Sequence, residues 1–302
     1  MIDWIDFGLV RDFADEKTDG YRLCTKSDAW AERFGADILV SYKVEAARDR
    51  ILRELEEWTR LSNLMIARVF ARYLPKKNAE REAPKLIAGD ASAPLAGTVM
   101  ERGVGYGLDF GAGYSVGFFL DQRENRQVVR RAAPRRMLNC FAYTCSFSVV
   151  AGLAGAQTLS IDLSRKSLAR GMDNFVRNRL ATDGHRFLAD DVFAVLPRLA
   201  RKGERFDVII LDPPTFSRSR TGKAWQVEHD FERLLMSALE VAERDAKILL
   251  STNCTRLDER ALEVMARFCL KATRRAGTLV PSLRLPDFPP GAAARSLWAI
   301  LR

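Results

Sequence analysis

The sequence predicts an α/β protein, a mainly parallel sheet with helices on both faces, preceded by a smaller α+β region. Two observations carry this. From about residue 120 onward, short apolar strand-like segments alternate with helical ones at the spacing of strand–helix–strand units. Before that point the pattern is irregular, with clustered glycines and one long amphipathic stretch. A third observation sets the class: the 302 residues are 47% hydrophobic and 29% charged, an ordinary balance for a folded chain.

In the first region, taken as 1–116, Ile38-Leu39-Val40 reads as a short strand after the turn Phe34-Gly35-Ala36-Asp37. Residues 45–73 read as helix, because Ile51, Leu52, Leu55, Trp58, Leu61 and Leu64 recur at spacings of three and four. Pro75 and the charged run 76–85 read as an exposed loop. Glycines at 97, 103, 105, 107, 111, 113 and 117 mark short strands joined by tight turns. They do not form a phosphate loop, since no helix start follows at the right distance.

In the second region, 117–302, residues 121–131 read as a basic helix, 137–141 as a buried strand and 147–155 as an apolar helix. A strand at 158–162 follows, and Ser164 caps a helix to about residue 178. Strands at 186–189, 206–211 and 246–251 alternate with helices at 192–201, 228–243 and 257–273. Strands at 278–283 and 297–301 close the chain.

The net charge of +9 favours an anionic macromolecular partner. The five cysteines are odd in number and form no CxxC pair. Reduced thiols in a cytoplasmic protein are therefore expected, with no disulfide framework and no zinc site. Two histidines leave no room for a histidine cluster, and no metal is expected. No apolar run approaches the ~20 residues of a membrane helix. The opening Met-Ile-Asp-Trp-Ile-Asp lacks the basic and apolar segments of a secretion signal.

In an open parallel sheet, ligands bind outside the carboxyl ends of the strands. Three consecutive strands here end in acids: Asp162, Asp190-Asp191, and Asp212 of Asp212-Pro213-Pro214-Thr215-Phe216. An acid about 20 residues after the first turn can hold both ribose hydroxyls of a nucleoside, and Asp162 fits. Asp191 can accept from an adenine amino group. The first turn has Thr144 and Ser146 but no GxGxxG, so a nucleoside without phosphates, such as S-adenosylmethionine, fits better than NAD. The prolines of Asp-Pro-Pro remove two backbone donors and stiffen the loop. Such a loop can hold a planar base, with Phe216 available to stack.

Three segments then carry a resemblance. Gly117-Phe118-Phe119-Leu120-Asp121-Gln122-Arg123-Glu124-Asn125-Arg126, Leu138-Asn139-Cys140-Phe141-Ala142-Tyr143-Thr144 and Leu211-Asp212-Pro213-Pro214-Thr215-Phe216 resemble the class I methyltransferases that modify bases of large-subunit ribosomal RNA. The likeness runs from about residue 97 to the C-terminus. It implies a seven-stranded Rossmann-like sheet, S-adenosylmethionine as donor and an RNA base as acceptor. By that likeness Phe141, Tyr143, Thr144 and Ser146 line the methionine side, Asp162 holds the ribose and Asp191 the adenine. Asp212 lies near the transfer site and, with Pro213, against the cofactor, and Gln122 and Arg123 close over the cofactor. Two departures stand out: Cys145-Ser146 replaces the family's usual glycine pair, and no stretch is left for the PUA domain with which many members begin. RNA contact then falls to the first region and to basic residues beside the site, namely Arg130, Arg131, Arg135, Arg136, Arg218, Arg220 and Lys223, with Pro214 and Phe216 against the base. Self-association into a homodimer is compatible with this plan.

Cys254 follows the fifth strand, where cytosine-C5 enzymes of this kind carry a cysteine. A thiolate adding to C6 of cytosine makes C5 nucleophilic. The other reading of Cys254 is a small buried residue at a strand end, with a ring nitrogen such as guanine N7 as acceptor and no covalent step. Two rival functions stay open from the sequence: a nucleotide-dependent oxidoreductase, and a non-catalytic RNA-binding module with an altered cofactor pocket.

Overall fold

The computed structural model describes residues 4–75, 81–218 and 224–302; of residues 216–218, 224–226, 228 and 229 only the backbone is described. The chain forms two compact units. One comprises Met1–Leu120 with Pro286–Pro289, the other Asp121–Leu285 with Pro290–Arg302.

The first unit begins with α1 (Phe7–Asp15), whose first N–H groups are met by the Asp6 carboxylate. Then come β1 (Gly20–Thr25), β2 (Ala29–Phe34), β3 (Asp37–Tyr42), α2 (Glu45–Ser62), β4 (Arg68–Tyr73) and β5 (Lys85–Ala88), whose strands form one sheet in the order 1-2-3-4-5. Val10, Phe13, Ile51, Leu55 and Trp58 pack the two helices on Leu23, Ala29, Ala31, Ile38 and Val40. A two-residue turn at Arg102-Gly103, both with positive φ, joins the hairpin β6 (Ala96–Glu101) and β7 (Val104–Asp109). The glycine-rich stretch thus contains a hairpin, as its composition implies.

The helix expected over 45–73 is too long. It stops at Ser62, where Asn63 takes a left-handed conformation. Residues 68–73 instead pair in parallel with β3. The Arg68 guanidinium there meets the Asp37 carboxylate on β3 with two bonds of 2.7–2.8 Å, a partner that local periodicity does not register. Strands β1 and β2 escaped the sequence reading for a related reason. Their buried positions include the ion pair Arg22–Glu32, at 3.1 Å, which blurs the apolar alternation. Of the expected loop 76–85, residues 76–80 lie outside the described residues.

The second unit follows a 3-10 turn at Leu120–Gln122. Its elements are α3 (Arg123–Ala132), β8 (Arg136–Cys140), α4 (Ser146–Leu153), β9 (Gln157–Asp162), α5 (Arg165–Arg177), β10 (Arg186–Ala189), α6 (Val192–Arg201) and β11 (Phe206–Leu211). A short hairpin, β12 (Phe216–Arg218) and β13 (Ala224–Gln226), leads into α7 (Val227–Leu239), β14 (Ala242–Thr252), α8 (Glu259–Ala272), β15 (Gly277–Pro281) and β16 (Arg295–Leu301). The hairpin was not foreseen, and α7 ends before the expected residue 243, where β14 already begins. The seven strands run in the order 10-9-8-11-14-16-15, with β16 antiparallel to both neighbours. This is the seven-stranded sheet that the family likeness implies.

The order reverses between β8 and β11, which opens a crevice at their carboxyl ends. Beneath it, Ile209, Leu211, Ile248 and Leu250 pack on Val195, Leu196, Phe231, Leu235 and Leu262 of α6, α7 and α8. Strands covered on both faces read as continuous apolar runs, which is why β11 was so plain in sequence. No helix among the described residues is long and apolar enough to cross a membrane.

Candidate active site

The carboxyl rim of the second unit collects the expected residues strand by strand. Asp191 follows β10, Asp162 ends β9, the loop 141–145 follows β8, Asp212 follows β11, and Ser251 and Thr252 end β14. Adjacent strands lie about 4.8 Å apart, so the ends of β9 and β11 are separated by roughly 10 Å.

On one side of the rim, acids hold the backbone. The Asp162 carboxylate accepts from the N–H of Tyr143 and of Ser164, both at 2.8 Å. Burial raises its pKa despite these two bonds. Each oxygen still has a lone pair for a ligand hydroxyl. Asp191 caps α6 through a 2.9 Å bond from the Phe193 N–H, and Arg198 pairs with Asp190.

The loop between them is strained. Phe141, Tyr143 and Cys145 all take positive φ, at 59°, 49° and 60°. Such a cluster of non-glycine residues costs of order 1–3 kcal/mol at each position and is a mark of functional loops. Cys145 adopts the conformation that the family's glycine would prefer, and its sulfur fills the space opposite Gly171 of α5. A Cβ at position 171 would lie 2.4 Å from Cys145 Sγ. Beneath the loop, Asn139 of β8 donates to Ser148 of α4 at 2.9 Å, and Ser148 shares a 2.8 Å bond with Ser160 of β9. Asn174 of α5 donates to the Thr144 carbonyl at 2.9 Å.

Helix α4 starts at Ser146 with no side-chain cap, so its first N–H groups present partial positive charge at the rim. Arg126 of α3, 1% exposed, has Nη1 3.5 Å from Ser146 Oγ. This buried cation was missed in the sequence reading. Its signal was its place in the Gln-Arg-Glu-Asn-Arg run, one turn after Arg123 on the same helix. Arg123 itself is fully buried, with Nε 3.8 Å from Glu124.

On the other side of the rim, Asp212 is held by side chains. Gln122 Nε2 lies 3.4 Å from Asp212 Oδ2 and 2.8 Å from Ser251 Oγ. The Ser251 hydroxyl favours the charged form of Asp212. Burial pushes the Asp212 pKa up to about 6, with Asp121 raising it further and Ser251 and Arg126 opposing the shift. Pro213 is buried and Pro214 exposed.

Several expectations fall elsewhere. Arg135 and Arg136 are not beside the site. They sit at the amino end of β8, opposite the rim, where their N–H groups bond Asp207 and Arg136 pairs with Glu204 at 2.7 Å. A basic residue preceding a strand necessarily lands at that end. Arg130 and Arg131 lie in the last turn of α3, away from its rim-side start. Arg220 and Lys223 lie outside the described residues, as do the side chains of Phe216, Arg218 and His229. Cys254 is 2% exposed and belongs to the core under α8; its N–H bonds Thr252 Oγ1 at 3.0 Å and its carbonyl accepts from Arg295 at 3.2 Å. Cys140 is buried within β8, as expected.

An acidic rim over a seven-stranded sheet, without a phosphate loop, defines a Rossmann-like protein for an adenosyl ligand that has no pyrophosphate. S-adenosylmethionine fits these residues. Asp162 suits the ribose hydroxyls, and the uncapped start of α4 with Arg126 suits the amino-acid carboxylate. Residues 42–298 match the family model of S-adenosylmethionine-dependent methyltransferases, and the chain belongs to that family. It is 31% identical over 313 residues to ribosomal RNA large subunit methyltransferase I of Aeromonas salmonicida (strain A449), covering 96% of this chain and 77% of that protein. It is 33% identical over 192 residues to YwbD of Bacillus subtilis (strain 168), covering 63% of this chain but only 48% of that one. The fold matches that of SMU.776 complexed with SAH (S-adenosylhomocysteine), with TM-score 0.82, 24% identity, and coverage of 98% of this chain and 78% of that one. It also matches an S-adenosylmethionine-dependent methyltransferase from Agrobacterium tumefaciens, with TM-score 0.75, 20% identity, and coverage of 95% and 91%.

Proposed function

We propose that this chain methylates an RNA base, in large-subunit ribosomal RNA, using S-adenosylmethionine. The bound cofactor supplies an electrophilic methyl group on a sulfonium sulfur. On the protein side, Asp162, Asp191 and the loop 141–146 hold the nucleoside and amino-acid parts. Asp212, on its stiff Asp-Pro-Pro loop, accepts hydrogen bonds from the target base, which must leave its stack to arrive there. The observation that carries this reading is the position of Asp212: a half-buried carboxylate, met by Gln122, which Ser251 in turn bonds, two strands from Asp162. The names of the relatives and the net charge of +9 support an RNA substrate, and binding to it should weaken steeply with salt. The same reading places the enzyme in the cytoplasm, with the assembling ribosome.

Cytosine C5 with Cys254 as nucleophile is the finer reading. It is supported by the position of Cys254, three residues past Ser251. The thiolate would add to C6, and loss of the C5 proton after methylation would expel it. The burial of Cys254 favours the second reading, a ring-nitrogen acceptor that needs only positioning and desolvation. A covalent route requires the segment after Thr252 to open when RNA binds.

Mass spectrometry of ribosomal RNA nucleosides from cells with and without the protein tests both. Loss of one methylated base from large-subunit RNA is expected, and an unchanged profile would refute the proposal. Restoration of that base by Cys254→Ala would exclude the covalent route.

A further inference from the structure

Between α3, β14, β15 and β16 runs a string of amides and hydroxyls whose order is informative. Asn125 is 3% exposed. Its Oδ1 accepts from Trp298 Nε1 at 3.0 Å and from Ser282 Oγ at 2.8 Å. Its Nδ2 donates to Gln122 Oε1 at 2.8 Å and to Ser296 Oγ at 3.2 Å. All four hydrogen-bonding positions of the amide are thereby used. Gln122, also 3% exposed, continues the string. Its oxygen is taken by Asn125, so its two N–H hydrogens face Ser251 and Asp212.

The direction of this string follows from chemistry. An amide can be turned over with little change of shape, so shape alone leaves its polarity open. An indole N–H only donates. Trp298 must therefore face the oxygen of Asn125. The Asn125 nitrogen then faces Gln122, which must answer with its oxygen, and the Gln122 nitrogen is left for Asp212. Turning over either amide would oppose like groups in a buried space. Gln122 and Asn125, three residues apart at the start of α3, meet along one helical turn; Ser282, Ser296 and Trp298 come to them from the far strands.

We propose that Trp298 and Asn125 are positioning residues for methyl transfer, locking the Gln122 amide so that an N–H, and never a carbonyl, meets the Asp212 carboxylate. This rests on the reading of Asp212 as the transfer-site acid. The lock keeps Asp212 an acceptor, the form that can take a hydrogen bond from a base amino or ring N–H group. Among the described residues, the other groups facing Asp212 are Arg126 from α3, which favours its charge, Asp121 from the turn before α3, which opposes it, and the Ser251 hydroxyl from β14.

Carbon-13 NMR of protein labelled at the aspartate carboxyl carbons tests the lock without RNA or cofactor, with the Asp212 signal assigned by its loss in Asp212→Asn. Asn125→Ala and Trp298→Phe add no charge, and each frees the Gln122 amide to turn over. Loss of a donor to the charged form raises a carboxyl pKa. The Asp212 titration should thus move up by about one pH unit in Asn125→Ala, a tenfold change in proton affinity, and in the same direction by less in Trp298→Phe. Folded variants whose Asp212 titrates as in the wild type would overturn the proposal, because a merely structural role lowers melting temperature without moving that titration. In the wild-type protein the Gln122 side-chain N–H pair should exchange with deuterium at least about 100-fold slower than an exposed glutamine's, and unprotected exchange would overturn it equally. If the titration shifts but the enzyme methylates no RNA, the functional reading fails and the lock stands; if methylation is found and the titration does not shift, the lock alone fails.

Discussion

The two halves of the rim hold their carboxylates in different ways. Asp162 and Asp191 are bound by backbone N–H groups within two residues of themselves or in the adjoining loop. Asp212 is met by a side chain 90 residues away, Gln122, which Ser251 in turn bonds. Backbone donors come with the strand and helix ends, so the half proposed to hold the nucleoside is assembled whenever the sheet is. Side-chain donors must be placed by packing and kept in the right polarity. The half proposed for methyl transfer is therefore tunable, and more easily broken.

Replacing Asp212 with alanine should give the largest effect. Methyl transfer to unmodified large-subunit RNA is expected to fall at least about 100-fold, while SAH affinity measured by calorimetry changes less than about threefold, because the nucleoside half is untouched. A parallel collapse of both would merge the two halves into one unit. Asp162→Ala should do the reverse. Loss of charge-assisted hydrogen bonds worth about 1.5–3 kcal/mol lowers SAH affinity by about 10- to 100-fold. Asp191→Ala should cost less in affinity and about 1 kcal/mol in stability, through the lost cap of α6. Equal losses from the two variants would show that Asp191 matters as a ligand and not chiefly as a cap.

Gly171→Ala probes the strained loop of the nucleoside half. A Cβ 2.4 Å from Cys145 Sγ must push the loop aside, destabilising the protein by about 1–3 kcal/mol. Adding Cys145→Gly should return most of that loss, and urea melts of the two singles and the double measure the coupling. Additive losses would show that the cysteine does not fill the space that the glycine opens.

The smallest effect concerns pH. The folded pKa of Asp212 lies near 6, above its value in an unfolded chain. The folded state therefore binds the proton more tightly, so stability falls as pH rises from about 4 to about 6 and then levels off. The Asp212 share of that fall should be about 1–2 kcal/mol after allowance for its partial exposure, and Asp212→Asn should remove it. A variant with the same pH dependence as the wild type between pH 4.5 and 7 would place the titration on another group.

Local order was largely legible. The strand ends Asp162, Asp191 and Asp212, the Ser164 cap and the Gly-rich hairpin all follow from short-range rules, since a strand's length and a cap's reach span only a few residues. The helix over 45–73 misled because spacings of three and four continued by chance past Asn63, and only the pairing of Arg68 with Asp37 reveals the strand. Cys254 stayed open between nucleophile and core, because a strand end does not say which face its next residues seek. The structure places it under α8.

By itself, then, the sequence determined the class of fold, the strand ends at which the acids gather and the kind of ligand that suits them. Only the tertiary structure decided which arginines leave that rim, that Arg126 lies beside Ser146, and that Asn125 and Gln122 stand behind Asp212. The reason is physical. Periodicity and capping depend on neighbours along the chain, whereas the polarity of a buried amide depends on which donors and acceptors folding brings against it from far away.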